Sequence, residues 1–394
     1  MNKLIPKEVV DILTLINKQN HQAYLIGGAV RDILIGKVPT DYDLCTNLQL
    51  QTLTEQIPHF HLMKKNDRRN AGVTRINDNT IEISEYKGET LNEDIQRRDF
   101  AINGIAIDKT GSIIDPFGFQ QDIINKKITL IDKTGNSIKE NPLLILRAIR
   151  LACQLGFEID NDTKEQIFKH KVSISSIIGQ RINIEFSKML ITDQFPRYLE
   201  EYFDIFLMII PELININDTD ILKRQKLLSI IPNNLPLKLA ALFTYNGNAL
   251  RDFTQVASRM KLDKKTTKLV LMLLSYKDKK IDTSKNSINR TIHEFNVHNV
   301  DLLFAYKKAV IEVNNDHVKN MNKTIELYQQ VLDQIISSRV SNIRINTDKL
   351  LEMGYNTEES VLIFDDIKAR IINCSLQNDE RSINSYILKN YKRS

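Results

Sequence analysis

The chain has 394 residues, of which 42% are hydrophobic and 26% are charged, and its formal net charge is +5 at pH 7. These values are ordinary for a globular protein with a sizeable core, and the weak basic charge is compatible with a nucleic-acid partner without requiring one. The three cysteines are too far apart for a disulfide framework or a zinc site, and no apolar run is long enough to span a membrane. We therefore expect a cytoplasmic protein with no membrane partner.

The N-terminal third of the chain mixes helix and strand patterns. In chain order we predict a helix over 4–19, a strand over 22–26, a helix over 29–35, a strand over 41–45, a helix over 48–57 and strands over 59–64, 71–76 and 80–86. After about residue 138 the strand patterns nearly disappear, and helical periodicity continues to the end. The chain is therefore predicted to have an α+β fold, in which a mixed-sheet head is followed by an all-α remainder.

Two carboxylates, Asp41 and Asp43, alternate with apolar residues along the second predicted strand. Because successive side chains of a strand point to opposite faces, these two point the same way, with Cα atoms about 7 Å apart. Hard oxygen ligands at this spacing suit Mg²⁺ ions that also bind substrate phosphates. Such ions activate an attacking hydroxyl and neutralise a leaving pyrophosphate. A solvated strand end is the alternative explanation of the same pattern.

The glycine pair Gly27 and Gly28 follows the first predicted strand, and Arg31 stands three residues further on. Glycines at this place let backbone N–H groups approach a triphosphate, and an arginine adds positive charge. A tight turn is the alternative explanation of the glycine pair. Close to the two carboxylates, however, the pair favours a phosphate-binding site.

The two motifs described above are followed along the chain by four more. Together they read LIGGAVRD at 25–32, DYDLCT at 41–46, RRDFAIN at 97–103, DPFG at 115–118, ENPLLILRAIR at 140–150 and QRINIEFSK at 180–188. In these motifs and their order the chain resembles the class II tRNA nucleotidyltransferases, which include bacterial CCA-adding enzymes and poly(A) polymerases. The resemblance implies a nucleotidyltransferase head over 1–137, a helical neck for nucleotide selection over 138–200, a helical body over 201–340 and a tRNA-binding helical tail over 341–394.

The resemblance also implies roles for individual residues. Asp41 and Asp43 would be the catalytic carboxylates and the metal ligands. The nucleotide-binding set comprises Gly27, Gly28, Arg31, Arg98, Asp99, Asn141, Arg147 and Arg150. For the basic pair at 97–98, a solvated surface is the alternative explanation.

The implied reaction is template-independent addition of nucleotides to the 3′ end of tRNA, with Mg²⁺ as cofactor. The 3′ end and acceptor stem of tRNA would be the partner, and CTP the substrate, with ATP and the choice between CC and CCA left open. Alternatives are a poly(A) polymerase, an RNA-binding homologue with little or no catalysis, and a nucleotidyltransferase that acts on another acceptor. Oligomeric state is not indicated.

The fourth motif departs from the family pattern Glu-Asp-x-x-Arg, whose Asp and Arg pair with the incoming base. Glu140 is kept, but Asn141 and Leu144 stand at the other two positions. Leucine offers no hydrogen-bond donor, and a neutral amide is a weaker partner than a carboxylate. We expect Arg147 or Arg150 to take part of the missing role, the alternative being that both are solvated or meet RNA phosphate. Asn141 also fits an N-cap for the following helix.

Two smaller departures accompany this one. The fifth motif begins with Gln180 instead of Glu, although Arg181, Glu185 and Lys188 have the helical spacing of an ion-pair face. The segment at 85–92 is shorter than the flexible loop that relatives completing CCA carry before the second motif. By resemblance, the short segment favours addition of the two C residues.

Overall fold

The computed structural model describes residues 4–63, 70–295, 297–314, 318–340, 343–372 and 376–391. The last residue of the strand predicted at 59–64, and Cys374, lie outside these ranges. The chain divides into two compact units, Met1–Pro211 and Glu212–Ser394. The division into head, neck, body and tail stays a prediction.

A seven-stranded mixed sheet forms the centre of the first unit. Its strands are β1 (Ala23–Ile26), β2 (Asp41–Thr46), β3 (His61–Met63), β4 (Ala71–Ile76), β5 (Asn79–Glu85), β6 (Ala106–Ile107) and β7 (Ile113–Ile114). The spatial order is β3-β4-β5-β2-β1-β6-β7. β2 runs parallel to β5 and antiparallel to β1, so the strand that carries the two carboxylates is central.

Helices follow and flank this sheet. They are α1 (Lys7–Lys18), α2 (Gly28–Leu34), α3 (Leu91–Gln96), α4 (Gln120–Ile124), α5 (Asn136–Glu140), α6 (Leu143–Leu155), α7 (Asn161–His170), α8 (Gly179–Leu190), α9 (Phe195–Glu201) and α10 (Phe203–Ile209). Short 3₁₀ helices occur at Leu50–Leu53, Ala101–Asn103, Lys171–Ser176 and Pro211–Ile214. A mixed-sheet head followed by helices is thus confirmed.

Two details differ from the sequence prediction. The helix predicted at 48–57 is a single 3₁₀ turn, because Leu50 and Leu53 reach the core of the first unit without a longer helix. The helical region after 138 also contributes one short strand, β9 (Glu158–Ile159), which pairs in parallel with β8 (Lys127–Ile128). Backbone pairing therefore ties the sheet-containing part of this unit to its following helices.

The described residues of the second unit form helices joined by turns and loops, with no strand among them. Its helices are α11 (Asp218–Ile230), α12 (Leu235–Phe243), α13 (Ala249–Arg259), α14 (Lys264–Ser275), α15 (Lys285–Phe295), α16 (Val297–Val313), α17 (Val318–Val340), α18 (Thr347–Glu352), α19 (Thr357–Ile372) and α20 (Glu380–Asn390). Across the described parts of the chain, no helix combines the length and the apolar character needed to cross a membrane.

Candidate active site

The turn from β1 into α2 brings the glycine pair against β2. Ile26, the last residue of β1, pairs with Asp43, so Gly27 follows at the level of that carboxylate. Gly27 has φ +83°, and a Cβ atom there would lie 3.1 Å from Oδ2 of Asp43. Both the backbone conformation and the close approach require glycine. The turn therefore leaves room beside the carboxylate that a side chain would fill.

The two carboxylates of β2 share one face of the sheet. Asp41 and Asp43 are exposed, whereas Tyr42 and Leu44 are buried, as expected from alternation along a strand. Among the described residues, no group of three or more His, Cys, Asp or Glu side chains could hold a metal ion. A pair of carboxylates beside an open phosphate site is nevertheless the usual donor set for Mg²⁺, which takes its remaining ligands from water and substrate phosphates. The residues present therefore fit this ion.

A third carboxylate, Glu82, was missed in the sequence. The parallel register of β2 and β5 places it directly opposite Asp43, on the same face of the sheet. The alternation of buried Ile81 and Ile83 around Glu82 is visible in the sequence, but the pairing with β2 is not. Glu82 adds negative charge next to the pair.

Arg98 is held in place by a buried carboxylate. Its Nε and Nη2 atoms donate to Oδ2 of Asp94 at 2.9 and 2.7 Å, and Asp94 is 0% exposed. Burial alone would lower the pKa of Arg98, but Asp94, together with Cys45 and Asp43, outweighs this effect and raises the pKa above its usual value. Arg98 is therefore a fixed, permanently charged group beside the carboxylate pair. Asp94 could have been found from its i,i+4 spacing to Arg98.

Asp94→Ala is expected to destabilise the first unit by about 3–5 kcal/mol, because it leaves the largely buried Arg98 charge without its partner. Urea unfolding followed by circular dichroism measures the loss. The control is Asp94→Leu combined with Arg98→Met, which removes both charges and should cost less than the single change. An equal loss in both variants would attribute the effect to packing and contradict the prediction.

A hydrogen-bonded chain links α2 to α6. Nη1 of Arg31 donates to Oδ1 of Asn103 at 3.0 Å, and Nδ2 of Asn103 donates to Oδ1 of Asp99 at 3.2 Å. The second oxygen of Asp99 forms an ion pair with Nη2 of Arg147 at 2.5 Å. Asn103 was missed in the sequence, since nothing local marks a contact 72 positions away from Arg31. The chain of contacts fixes three of the predicted nucleotide-binding residues relative to one another.

Helix α6 presents the altered fourth motif. Leu144 is 6% exposed and lines the same cavity as Asn141. The N-cap interpretation of Asn141 is wrong: Pro142 is the N-cap of α6, no side chain caps it, and Asn141 ends α5 instead. The amide of Asn141 is therefore not used to cap α6.

The two arginines of α6 differ in their surroundings. Arg150 donates through Nε to Glu185 of α8 and through Nη1 to Gln154 at 2.7 Å. Arg147 is 35% exposed on its side chain, and its Nε and Nη1 atoms have no partner among the described residues. Of the two, Arg147 thus keeps donors that no described residue uses, whereas Arg150 is bound to α8.

The ion-pair face predicted on α8 does not form as expected. Glu185 pairs with Arg150 of α6, while Arg181 and Lys188 remain exposed and make no ion pair with the described residues. The i,i+4 spacing suggested a local pair, but the neighbouring helix competes for the carboxylate.

All the predicted site residues line one cavity of about 1310 Å³ in the first unit. They are Gly27, Gly28, Arg31, Asp41, Asp43, Arg98, Asp99, Asn141, Arg147 and Arg150. The wall carries nine lysines and arginines but only five carboxylates, so it suits a polyanion. The cavity can therefore bring a phosphate-rich ligand to the carboxylate pair.

Two family descriptions match the N-terminal part of the chain. Residues 23–129 match the Poly A polymerase head domain, and residues 156–215 match the probable RNA and SrmB-binding site of polymerase A. The first match covers most of the sheet-containing part of the first unit, and the second covers helices that follow it. Through these two regions the chain is similar to poly(A) polymerases and tRNA nucleotidyltransferases.

Curated relatives show the same similarity. The CC-adding tRNA nucleotidyltransferase of Shouchella clausii (strain KSM-K16) is 34% identical over 176 residues, which cover 44% of this chain and 46% of the relative. The CCA-adding enzyme of Enterococcus faecalis (strain ATCC 700802 / V583) is 33% identical over 199 residues, covering 47% and 49%. The chain thus spans about half the length of the curated relatives it matches.

Solved structures share the fold over nearly the whole chain. The Bacillus stearothermophilus CCA-adding enzyme in complex with CTP superposes with a TM-score of 0.66 at 20% identity, covering 97% of this chain and 96% of that one. The Thermotoga maritima CCA-adding enzyme complexed with tRNA gives 0.60 at 18% identity, covering 98% of each chain. At these identities the likeness establishes the fold.

Proposed function

We propose that this protein is a tRNA nucleotidyltransferase that adds C residues to the 3′ end of tRNA. The observation that carries the proposal is the position of Asp41 and Asp43 at the glycine turn, in a cation-rich cavity that continues onto α6. Paired carboxylates with a phosphate-binding turn suit transfer of a nucleotidyl group. An RNA-binding homologue without catalysis would not need this pair.

In the proposed reaction, the terminal 3′-hydroxyl of the RNA attacks the α-phosphorus of the incoming nucleoside triphosphate. A bond forms between the 3′ oxygen and the α-phosphorus, the bond to the β-phosphate oxygen breaks, and pyrophosphate leaves while the hydroxyl proton passes to solvent or a nearby base. Asp41 and Asp43 would hold two Mg²⁺ ions, which activate the hydroxyl and neutralise the leaving pyrophosphate. Around them, Arg31 and Arg98 supply fixed positive charge for the triphosphate.

The remaining residues position the nucleotide. Gly27 approaches Asp43 closely, and the N–H groups of the glycine turn would bind phosphate oxygens. Asp99, which contacts Asn103 and Arg147, would bind the ribose, and Asn141 and Arg147, which line the same cavity, would bind the base. Arg150, which contacts Glu185, acts by positioning α6 against α8.

Two observations favour CTP as the substrate and addition of CC. The segment at 85–92, which runs from the end of β5 into the start of α3, is short, and the Shouchella clausii relative at 34% identity is named a CC-adding enzyme. ATP is the alternative substrate. The acceptor is proposed to be the 3′ end and acceptor stem of tRNA.

Incubation with a tRNA that lacks its CCA end, and with each labelled nucleotide in turn, is expected to give incorporation of C and little or none of A. The same assay on a tRNA ending in CC shows whether A follows, and a generic RNA of equal length is the acceptor control. Long A tracts on both RNAs would identify a poly(A) polymerase instead. If no nucleotide is transferred to either RNA, the proposed function is refuted.

A further inference from the structure

A groove of about 760 Å³ lies along helices α13 and α14 of the second unit. Its apolar lining residues are Leu250, Ala257, Leu262, Leu271 and Met272. Two lysines, Lys264 and Lys268, line it as well, and none of the described lining residues is acidic. We call this surface the α13–α14 groove. It combines an apolar lining with two positive charges.

The α13–α14 groove suits a helix that is both amphipathic and acidic. Leu250 is 44% exposed, and neither Lys264 nor Lys268 forms an ion pair with a described residue, unlike Arg259 and Lys279. An open apolar groove between two helices is a common docking surface for the apolar face of a third helix. Charge complementarity with the two lysines then requires carboxylates on that third helix.

Helix α19 of the same unit carries a face of this kind. Glu358, Val361, Leu362 and Asp365 stand at i, i+3, i+4 and i+7 and therefore share one side of the helix. Val361 is 48% exposed and Leu362 is 69% exposed. The two carboxylates are exposed as well, and neither forms an ion pair with a described residue, unlike Asp366. We call these four residues the α19 stripe.

We infer that the α13–α14 groove of one copy of this chain binds the α19 stripe of a second copy. The groove offers an apolar lining with two cations, and the stripe offers two apolar side chains between two carboxylates. Its spacing is the pattern by which helices bind in apolar grooves. Within a single chain both surfaces are exposed, so neither covers the other. The inference goes beyond the proposed function and does not depend on it.

The dimensions of the two surfaces agree. Glu358 and Asp365 are seven residues apart, which is about 10 Å along the axis of α19. Lys264 and Lys268 are four residues apart, about 6 Å along α14, and their flexible side chains can cover the difference. When each copy places its stripe in the groove of the other, the contact occurs twice in a two-fold dimer, the commonest symmetric assembly.

RNA is the alternative occupant of a groove that carries two lysines. Its phosphates would bind the lysines but leave the exposed Leu250 in water. Its negative charge would also be repelled by the carboxylates of the α19 stripe, so RNA binding leaves that second surface unexplained. A second copy of the chain accounts for both surfaces at once.

The test is sedimentation equilibrium at several protein concentrations, without nucleotide or tRNA. The wild-type protein is expected to show a monomer–dimer equilibrium. Reversing the groove charges, by Lys264→Glu with Lys268→Glu, should raise the dimer dissociation constant by about a hundredfold, since like charges then face each other. Reversing the stripe charges, by Glu358→Lys with Asp365→Lys, should have the same effect for the same reason.

Mixing the two charge-reversed variants in equal amounts is the decisive experiment. The unaltered groove of one variant then meets the unaltered stripe of the other, and the reversed groove meets the reversed stripe. Dimers should therefore form again with a dissociation constant within about tenfold of the wild type. Recovery in the mixture also shows that both variants are folded, because two misfolded chains would not restore a specific contact.

Two matched controls separate these surfaces from general charge and exposed apolar area. Lys226→Glu with Lys308→Glu reverses two exposed lysines of the second unit outside the groove and should leave the dimer unchanged. Leu362→Ser should weaken the dimer about tenfold. Leu222→Ser, at a leucine that is also 69% exposed but lies on α11, should not.

A wild-type protein that stays monomeric at every concentration would overturn the inference, as would a mixture that fails to recover the dimer. A groove variant that keeps the wild-type dimer but binds tRNA less tightly would assign the groove to RNA instead. Nucleotide transfer is measured separately. Its absence would refute the proposed function and leave this inference standing, because dimer formation requires neither nucleotide nor tRNA.

Discussion

Replacing Asp43 by asparagine is expected to slow nucleotide transfer by about a thousandfold, while tRNA binding changes little. In the proposed reaction Asp43 is a ligand of the catalytic ions, and loss of such a ligand would remove several kcal/mol of transition-state stabilisation, each 1.4 kcal/mol corresponding to a factor of about ten. Asp41→Asn should behave in the same way, because both carboxylates lie on one face of β2. Single-turnover transfer of labelled CTP measures the effect.

The Asp43→Asn change should leave the neighbouring cation intact. Asp43 contributes to the raised pKa of Arg98, but Asp94 is its principal acidic partner, so the arginine stays charged in the variant. The binding of Mn²⁺, followed by water proton relaxation, gives a readout independent of transfer, and it should weaken in both variants. Glu55→Gln is the control, since this exposed carboxylate lies outside the cavity. Full activity in Asp43→Asn would contradict the assignment of the catalytic pair.

The parts of the site that depend on local pattern could be predicted from the sequence. Alternation along 41–45 was enough to predict the strand and the common face of Asp41 and Asp43, and the structure has β2 at Asp41–Thr46. The glycine turn followed from two adjacent glycines after a strand. The function of these residues is still a prediction, but their proximity in space is now a structural fact.

Contacts between distant segments could not be predicted in this way. Asn103 bridges Arg31 and Asp99, and Glu82 lies opposite Asp43, yet neither relation has a local pattern. Two-residue strands such as β8 and β9 are too short for any periodicity to show. Glu185 shows that a local pattern can also mislead. Its spacing predicted ion pairs within α8, but Glu185 pairs with Arg150 of α6 instead.

Arg147 and Arg150 have different contacts, and this difference bears on which residues select the base. Arg150 is engaged with Glu185 and Gln154, whereas Arg147 keeps Nε and Nη1 without partners among the described residues. Asn141 and Arg147 lie on either side of Leu144 in the sequence and line the same cavity, and we expect these two polar groups to contact the base. Base selection by Asn141 and Arg147 should be weaker than base selection by the family's pair, which is a carboxylate at position 141 and an arginine at position 144.

Restoring the family residues, by Asn141→Asp together with Leu144→Arg, is therefore expected to raise the preference for CTP over UTP by about 10- to 100-fold. A carboxylate accepts from the exocyclic amine of cytosine and repels the O4 of uracil, while arginine donates to O2 and N3 of cytosine. A matched pair of this kind contributes about 1–3 kcal/mol of discrimination. The ratio of kcat/KM values for the two nucleotides measures it directly.

Leu144→Met is the matched control, because it keeps the volume and apolar character of the wall and should leave the ratio unchanged. Arg147→Ala in the otherwise unaltered chain should lower the preference for CTP, whereas Arg150→Ala should reduce the rate with all nucleotides alike, since it loosens α6 from α8. The wild-type protein could already prefer CTP as strongly as the double variant does, and Arg147→Ala could leave that preference unchanged. These two results together would place base selection outside α6. The present arrangement argues otherwise, because Leu144 and Arg147 of α6 line the cavity beside Asn141, and Arg147 is joined through Asp99 to Asn103 and Arg31.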